Sequence, residues 1–130
     1  MLPPTARLTH RDEFTAVVRR GRRSGRSLLV MHILLPEPAD HDGPRIGFVV
    51  SKAVGGSVVR HRVARRLRHV MRDRLPQLPS GSRVVVRALP RSATATSAKL
   101  AADADRALSV LLRDVPRDPP APGAFRPDGS

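Results

Sequence analysis

Hydrophobic residues recur at helical spacing in the segment that follows Gly55-Gly56. Drawn at 100° per residue, one arc holds the apolar positions Val59, Val63, Leu67 and Val70, with Ala64 and Met71 at its edge. The opposite arc holds His61, Arg62, Arg65, Arg68, His69 and Arg72. The pattern predicts a helix from Ser57 to about Arg74 that packs one face and presents a cationic one, with Ser57 as its N-terminal cap.

A shorter amphipathic helix is predicted near the N-terminus. It begins at Thr9, with Asp12 three residues later as a weak capping box, and it ends at Gly21. Phe14, Val17 and Val18 form its apolar face. Five arginines follow on its last turn and on the expected loop, as a second basic cluster: Arg19, Arg20, Arg22, Arg23 and Arg26.

Three apolar runs predict strands, over 28–35, 45–51 and 84–86. A last helix is predicted over 97–112, with Asp103 and Asp105 as ordinary surface acids. The order helix-strand-strand-helix-strand-helix is typical of a small α/β fold, an α+β sandwich with helices packed on a sheet. Because prolines recur from Val115 onward, we expect one domain over 1–114 and a disordered tail over 115–130.

The charge distribution changes this picture of an ordinary small domain. The chain of 130 residues has a net charge of +13, and between Arg45 and Arg91 twelve basic residues stand against one acid, Asp73. Like charges three and four apart on a helix cost about a few tenths of a kcal/mol per pair. A polyanionic partner would remove that cost, whereas the alternative is a solvated basic helix surface that lacks acids. Arg60 lies inside the apolar arc, which indicates a side chain held by the fold and aimed at a specific group.

Candidate protein chemistry is sparse. The chain has no cysteine, which excludes disulfides, thiolate metal sites and cysteine nucleophiles. A metal-dependent nuclease needs converging carboxylates, yet Asp73 stands between Arg72 and Arg74 and is expected to form a salt bridge. Asp40-His41-Asp42 is a weak metal candidate in a turn bounded by Pro and Gly. We therefore expect neither a catalytic constellation nor a metal site in the protein itself.

His32 interrupts an otherwise apolar strand. It is either a histidine at the edge of the core with a hydrogen-bonding partner, or a ring that lines a groove where a nucleotide base can stack. Phe14 likewise has two interpretations, as a core residue or as a residue that contacts a ligand. The apolar run Leu28–Leu35 is too short to span a bilayer, and the N-terminus has no apolar h-region.

The run Lys52-x-x-Gly55-x-Ser57-Val58-x-Arg60-His61-Arg62-x-x-Arg65 resembles the signature of the bacterial ribonuclease P protein subunit. In that family an Arg-Asn-Arg motif follows a Lys-x-x-Gly-x-Ala-Val lead-in. The likeness covers roughly residues 1–112, including Asp12-Glu13-Phe14, Arg45-Ile46-Gly47 and the Val-rich strand that ends in Pro90.

The resemblance implies a left-handed β-α-β crossover, in the fold class named for the second domain of a small-subunit ribosomal protein. It implies a cytoplasmic, non-catalytic protein partner of a catalytic RNA, which uses bound Mg²⁺ to remove the 5′ leader of precursor tRNA. Carried over by position, the residues that contact the catalytic RNA are Arg60, Arg62, Arg65 and Arg68, with Lys52 nearby. The same helix adds His61, Arg66 and Arg72 as candidate RNA-binding residues. Phe14, Val18 and His32 fall at positions that line a groove for the leader.

Some positions depart from the family pattern. His61 stands where the family has Asn, and Ser57 replaces a small Ala. Ala64 stands where Lys is common, while Arg66 places a charge at a typically apolar position. Val18 and His32 replace aromatic residues of the groove, so weaker base stacking is expected there.

Four other functions compete with this interpretation. A general RNA-binding or ribosome-associated protein would share the charge without the ordered motif. A helix-turn-helix DNA-binding protein needs a helix where the strand 45–51 is predicted, and a membrane-surface protein needs large apolar residues opposite the charges. A stand-alone ribonuclease would cleave without added RNA.

Overall fold

The computed structural model describes residues 6–8, 10–35 and 43–113. Its elements in chain order are α1 (Arg11–Arg20), β1 (Arg22–Gly25), β2 (Leu29–Leu34), β3 (Arg45–Val49), α2 (Ser57–Arg72), β4 (Arg83–Ala88) and α3 (Ser97–Leu111). Short 3-10 helices lie at Leu75–Gln77 and Pro90–Thr94. The predicted tail over 115–130 and the turn with Asp40-His41-Asp42 lie outside the described residues.

The strands form one mixed sheet in the order β1-β2-β4-β3. β2 pairs antiparallel with β1 and with β4, and β3 pairs parallel with β4. Because β3 and β4 run parallel, the chain must cross over between them, and α2 makes this connection. The predicted α+β sandwich, with its β-α-β unit around the basic helix, is confirmed.

Two helices cover one sheet face and α1 covers the other. The α2–α3 layer packs on the large core, where Met31, Ile33 and Leu67 are fully buried. On the opposite face α1 buries Val17 against Leu8 and Val85. The apolar arc predicted for α2 is confirmed, since its buried residues are Val63, Leu67, Val70 and Met71.

Strand β1 lies in the segment that the sequence analysis assigned to a loop. Its sequence, Arg-Arg-Ser-Gly, has no apolar alternation, and its strand character comes from pairing with β2. Ser24 is buried opposite Met31 on the core side, so the neighbouring Arg23 points to the face that carries α1. The loop prediction was wrong because these four residues lack apolar alternation, although their hairpin partner β2 begins only four residues after β1 ends.

The start of α2 also differs from the prediction. Ser57 is the first helical residue, and the capping position is Gly56, which has extended backbone angles and no side chain to accept a hydrogen bond. The Gly56 carbonyl accepts the Arg60 N–H at 2.9 Å. The capping prediction was therefore displaced by one residue. Helix α1 begins after His10, which makes no side-chain capping bond, and the predicted cap Thr9 lies outside the described residues.

Both acids of α3 tie it to other elements. Asp103 is buried, so its prediction as a surface acid was wrong, whereas Asp105 is exposed as predicted and is paired. Asp103 is 7% exposed, and its Oδ2 accepts the backbone N–H of Leu28 at 2.8 Å, which ties α3 to the start of β2. Asp105 accepts two hydrogen bonds from Arg74, at 2.7 and 3.0 Å. This fork joins the end of α2 to the middle of α3. Asp73 forms a salt bridge, as predicted: its Oδ1 lies 3.5 Å from Nε of Arg72.

Candidate nucleic-acid interface

The outer face of α2 is cationic along its length. His61, Arg65 and His69 are exposed, and together with the half-buried Arg68 they line a shallow surface pocket. In the part of the chain that the structure describes, neither Arg65 nor Arg68 has a carboxylate within ion-pair distance. The first turn of α2 also carries no acid. This surface therefore attracts anions, and repeated phosphates are the anions that match a row of arginines.

Two of the predicted RNA-binding arginines turn toward the linker that precedes α3. Arg66 is half-buried, and its Nη1 donates a hydrogen bond to the Ala95 carbonyl at 2.7 Å. Arg62 is exposed, and its Nη2 reaches the Ala93 carbonyl at 3.4 Å. Through its short hydrogen bond, Arg66 holds the linker against α2. The contact of Arg62 is long and exposed, so Arg62 remains available to a partner.

Arg60 lies one turn into α2 and is half-buried, as its place in the apolar arc predicts. Its Nε is buried and has no hydrogen-bond partner among the described residues. Because the stem of the side chain is enclosed, the guanidinium has fewer orientations to lose when it binds. Lys52 is exposed in the loop between β3 and α2, beside the same helix end. The structure thus brings Lys52 and Arg60 to one end of the cationic face.

The three predicted groove residues lie on the opposite face of the sheet. Phe14 and Val18 are one helical turn apart on α1, and the Phe14 ring lies over Gly47 of β3. Val18 is 48% exposed. His32 shares this face, since its partner on β4 is Val85, against which α1 packs. The three residues therefore lie on the side of the sheet that carries α1.

His32 is 7% exposed, so its ring offers little area for a base to stack on. Its Nδ1 is buried without a hydrogen-bond partner in the described residues, where the core-edge interpretation expected one. Burial lowers the pKa of His32 below its usual value, and the nearby charges of Arg23 and Arg87 lower it further. Both effects favour the neutral form of the ring.

Arg23 and Arg87 belong to this groove face and were not among the predicted groove residues. Arg23 lies directly opposite His32 in the β1–β2 pair. Arg87 lies opposite Val30, two residues from His32 along β2, and therefore on the same face. Alternation along β4 could have placed Arg87 there, but Arg23 could be placed only once β1 was known. Arg87 also pairs with Val49, the last residue of β3, so it lies near the point where the chain leaves the sheet toward α2.

The remaining residue groups add no second kind of site. Within residues 6–8, 10–35 and 43–113, no three His, Cys, Asp or Glu side chains are grouped so that they could hold a metal ion. The candidate Asp40-His41-Asp42 falls outside these ranges. No helix in the described part of the chain is both long and apolar enough to cross a membrane.

Comparison with known proteins decides the family. The model of the Ribonuclease P family matches residues 2–112. The chain belongs to the Ribonuclease P family. A ribonuclease P protein component from Streptomyces griseus is 57% identical over 118 residues, covering 86% of this chain and 96% of that protein. One from Corynebacterium diphtheriae is 49% identical over 117 residues, covering 87% of this chain and 98% of that protein.

Solved structures of Ribonuclease P family proteins share the fold. The RNase P protein of Staphylococcus aureus superposes with a TM-score of 0.69 at 19% identity, covering 81% of this chain and 94% of that one. The RNase P protein of Thermotoga maritima gives 0.65 at 21% identity, covering 82% and 96%. At these identities the likeness supports the four-stranded sheet and its helices. The roles of individual side chains rest on the geometry described above.

Proposed function

We propose that this chain is the protein subunit of ribonuclease P, which binds the catalytic RNA and the 5′ leader of precursor tRNA in the cytoplasm. The observation that carries the proposal is the cationic face of α2, whose residues Arg65 and Arg68 lack carboxylate partners in the described structure. Such a face costs stability through like-charge repulsion unless a polyanion covers it. Membership of the Ribonuclease P family supports a catalytic RNA as that polyanion.

The proposed contacts with the catalytic RNA are assigned from the positions of the residues on α2. On α2, Arg60, Arg62, Arg65 and Arg68 contact phosphates of the catalytic RNA, with His61, Arg72 and Lys52 at the margins. Arg66 contributes charge while it holds the linker at Ala95. Each neutralised phosphate releases counterions, so the affinity for the catalytic RNA falls steeply with salt concentration.

The leader occupies the groove on the other side of the sheet. Phe14 and Val18 supply its apolar side chains, and His32 lies on the same side of the sheet. Arg87 lies opposite Val49, three residues before Lys52 in the chain, so a strand in the groove is directed toward the end of α2 where the catalytic RNA binds. Two RNA molecules thus meet at one edge of a small basic protein.

We assign bond cleavage to the catalytic RNA and to Mg²⁺ that it binds. The α2 face supplies cations, and the donor set for a divalent ion is carboxylates and other oxygens. The role of the protein is to lower the repulsion between catalytic RNA and precursor tRNA. Less Mg²⁺ is then needed for cleavage, because protein cations perform part of the screening.

The proposal is tested by incubating precursor tRNA with the protein alone, with the cognate catalytic RNA alone, and with both, at low Mg²⁺. Cleavage is expected only when both are present, and the Mg²⁺ concentration for half-maximal cleavage should fall when protein is added. Cleavage by the protein alone, or equal Mg²⁺ dependence with and without it, would contradict the proposal. A general RNA-binding protein would instead bind unrelated structured RNAs with the same affinity as the catalytic RNA.

A further inference from the structure

Two arginines flank His32 on the groove face, and neither belongs to the α2 site. Arg23 is directly opposite His32 on β1, and Arg87 is diagonal to it on β4. Both side chains are exposed. Among the residues that the structure describes, no carboxylate lies within ion-pair distance of either one. Their charges reach His32, whose pKa they lower.

The spacing of the two arginines suits a nucleic-acid backbone. Adjacent strands of a sheet lie about 4.8 Å apart, and β2 separates β1 from β4, so the two residues are about 10 Å apart across the sheet. Arg87 is also displaced by two residues, about 7 Å, along the strands, so the two α-carbons are about 12 Å apart. Their flexible stems let the two guanidinium groups contact separate phosphates of one extended strand. Each group offers a planar fork of donors that matches phosphate oxygens.

Stacking surface is scarce in the same groove. His32 is almost fully buried, Val18 is aliphatic, and the half-buried Phe14 ring rests on Gly47. Binding of single-stranded nucleic acid combines aromatic stacking with a positively charged track, and here the second component dominates. A strand held by its phosphates is held with little regard to its bases.

We propose that Arg23 and Arg87 clamp backbone phosphates of the precursor tRNA leader above His32, so that this groove binds the leader chiefly by charge and tolerates changes of base sequence. The inference rests on the proposed function and names the chemistry by which its groove recognises the substrate.

The test uses the reconstituted complex of protein, catalytic RNA and precursor tRNA. Substrate affinity is measured at several salt concentrations for wild type, for Arg23→Gln with Arg87→Gln, and for the matched control Arg106→Gln, an exposed arginine of α3. The double variant should bind the substrate about tenfold more weakly. The slope of log affinity against log salt should become shallower by about 1.4, since each single-strand phosphate contact contributes about 0.7. Arg106→Gln should bind the substrate with the affinity and salt slope of wild type. The double variant should bind mature tRNA, which has no leader, as tightly as wild type does.

A leader with uncharged methylphosphonate linkages separates phosphate contacts from base contacts. Precursor tRNA with this leader should bind the wild-type protein more weakly than unmodified precursor tRNA does. For the double variant, the modification should reduce affinity little further. Changing the leader bases should alter wild-type affinity less than twofold. Arg23→Lys with Arg87→Lys keeps the charges and should recover much of the affinity, which distinguishes lost contacts from a misfolded variant.

An unchanged salt slope, or an additive effect of methylphosphonates in the double variant, would overturn the clamp while leaving the proposed function intact. Equal loss of affinity for mature tRNA would overturn it too, because the arginines would then act away from the leader. Failure of the wild-type protein to stimulate cleavage by the catalytic RNA would instead reject the proposed function.

Discussion

The phenyl ring of Phe14 on α1 rests directly on the α-carbon of Gly47 on β3. A β-carbon built at Gly47 would lie 3.0 Å from Cε2 of the ring and closer still to Cε1 and Cζ. Gly47 is thus needed for the space it leaves, and no positive φ is involved. This close approach lets α1 pack on the sheet and fixes the position of Phe14 in the proposed leader groove.

We predict that Gly47→Ala displaces the Phe14 ring and destabilises the protein by about 1–3 kcal/mol, the usual cost of overpacking. Chemical denaturation measures this loss. Affinity for precursor tRNA should fall more than assembly with the catalytic RNA, because α2 lies on the other side of the sheet. Gly43→Ala is the control, since nothing lies within 4 Å of a β-carbon at Gly43. Full stability in Gly47→Ala would show that the ring has room to move.

Removing Arg60 and Arg62 together should weaken assembly with the catalytic RNA. Two lost phosphate contacts should make the slope of log affinity against log salt shallower by about 1.8. Filter binding with catalytic RNA across a salt series measures both effects, and Arg106→Ala serves as a surface control. Unchanged assembly of the Arg60→Ala, Arg62→Ala protein would remove these two residues from the interface.

Arg65 and Arg66 are neighbours with different expected effects. Arg66→Ala should lower the free energy of unfolding by about 1.5–3 kcal/mol, because the Ala95 carbonyl loses a charged hydrogen-bond donor. Arg65→Ala should leave stability within about 0.5 kcal/mol of wild type and should weaken RNA binding. Thermal melts and RNA titrations of both variants check this contrast. Equal stability of the two variants would show that the Ala95 contact contributes nothing.

The Arg74–Asp105 pair predicts a stability change in acid. The hydrogen bonds from Arg74 hold the pKa of Asp105 below its usual value. A carboxyl with a lowered folded pKa stabilises the protein above its unfolded pKa of about 4 and loses that contribution as pH falls through the folded pKa. In denaturation experiments between pH 2 and pH 7, the free energy of unfolding should therefore fall more steeply with decreasing pH for wild type than for Asp105→Asn. Parallel curves for the two proteins would contradict the prediction, and Asp73→Asn serves as a variant that leaves this pair intact.

The amphipathic pattern of α2 was sufficient to predict its two faces. Val63 and Leu67 are buried and Arg65 is exposed, as the spacing requires. The three strands predicted from apolar runs are present, and the last helix ends within one residue of its predicted end. These predictions succeed because helical and strand periodicity are local properties of the chain.

The errors have two causes: a strand without apolar alternation, and contacts between residues that are distant in the chain. β1 was missed because its strand character comes from pairing with β2. Asp103 and Asp105 resemble surface acids in sequence, yet their partners, Leu28 and Arg74, lie 75 and 31 residues away. Arg66 was grouped with the RNA-facing arginines because the position of the Ala95 carbonyl is set by the tertiary packing of the linker.

The sequence by itself determined the charge of this protein, the helix that carries it and the family to which its motif points, since each depends on residue identity and short-range spacing. Tertiary structure alone decided which arginines remain available to RNA and which are engaged with carbonyl or carboxylate groups. It also brought Arg23 and Arg87 to the two sides of His32. Arg23 is placed by the short β1–β2 hairpin and Arg87 by the pairing of β2 with the distant strand β4, and only the folded sheet specifies both registers.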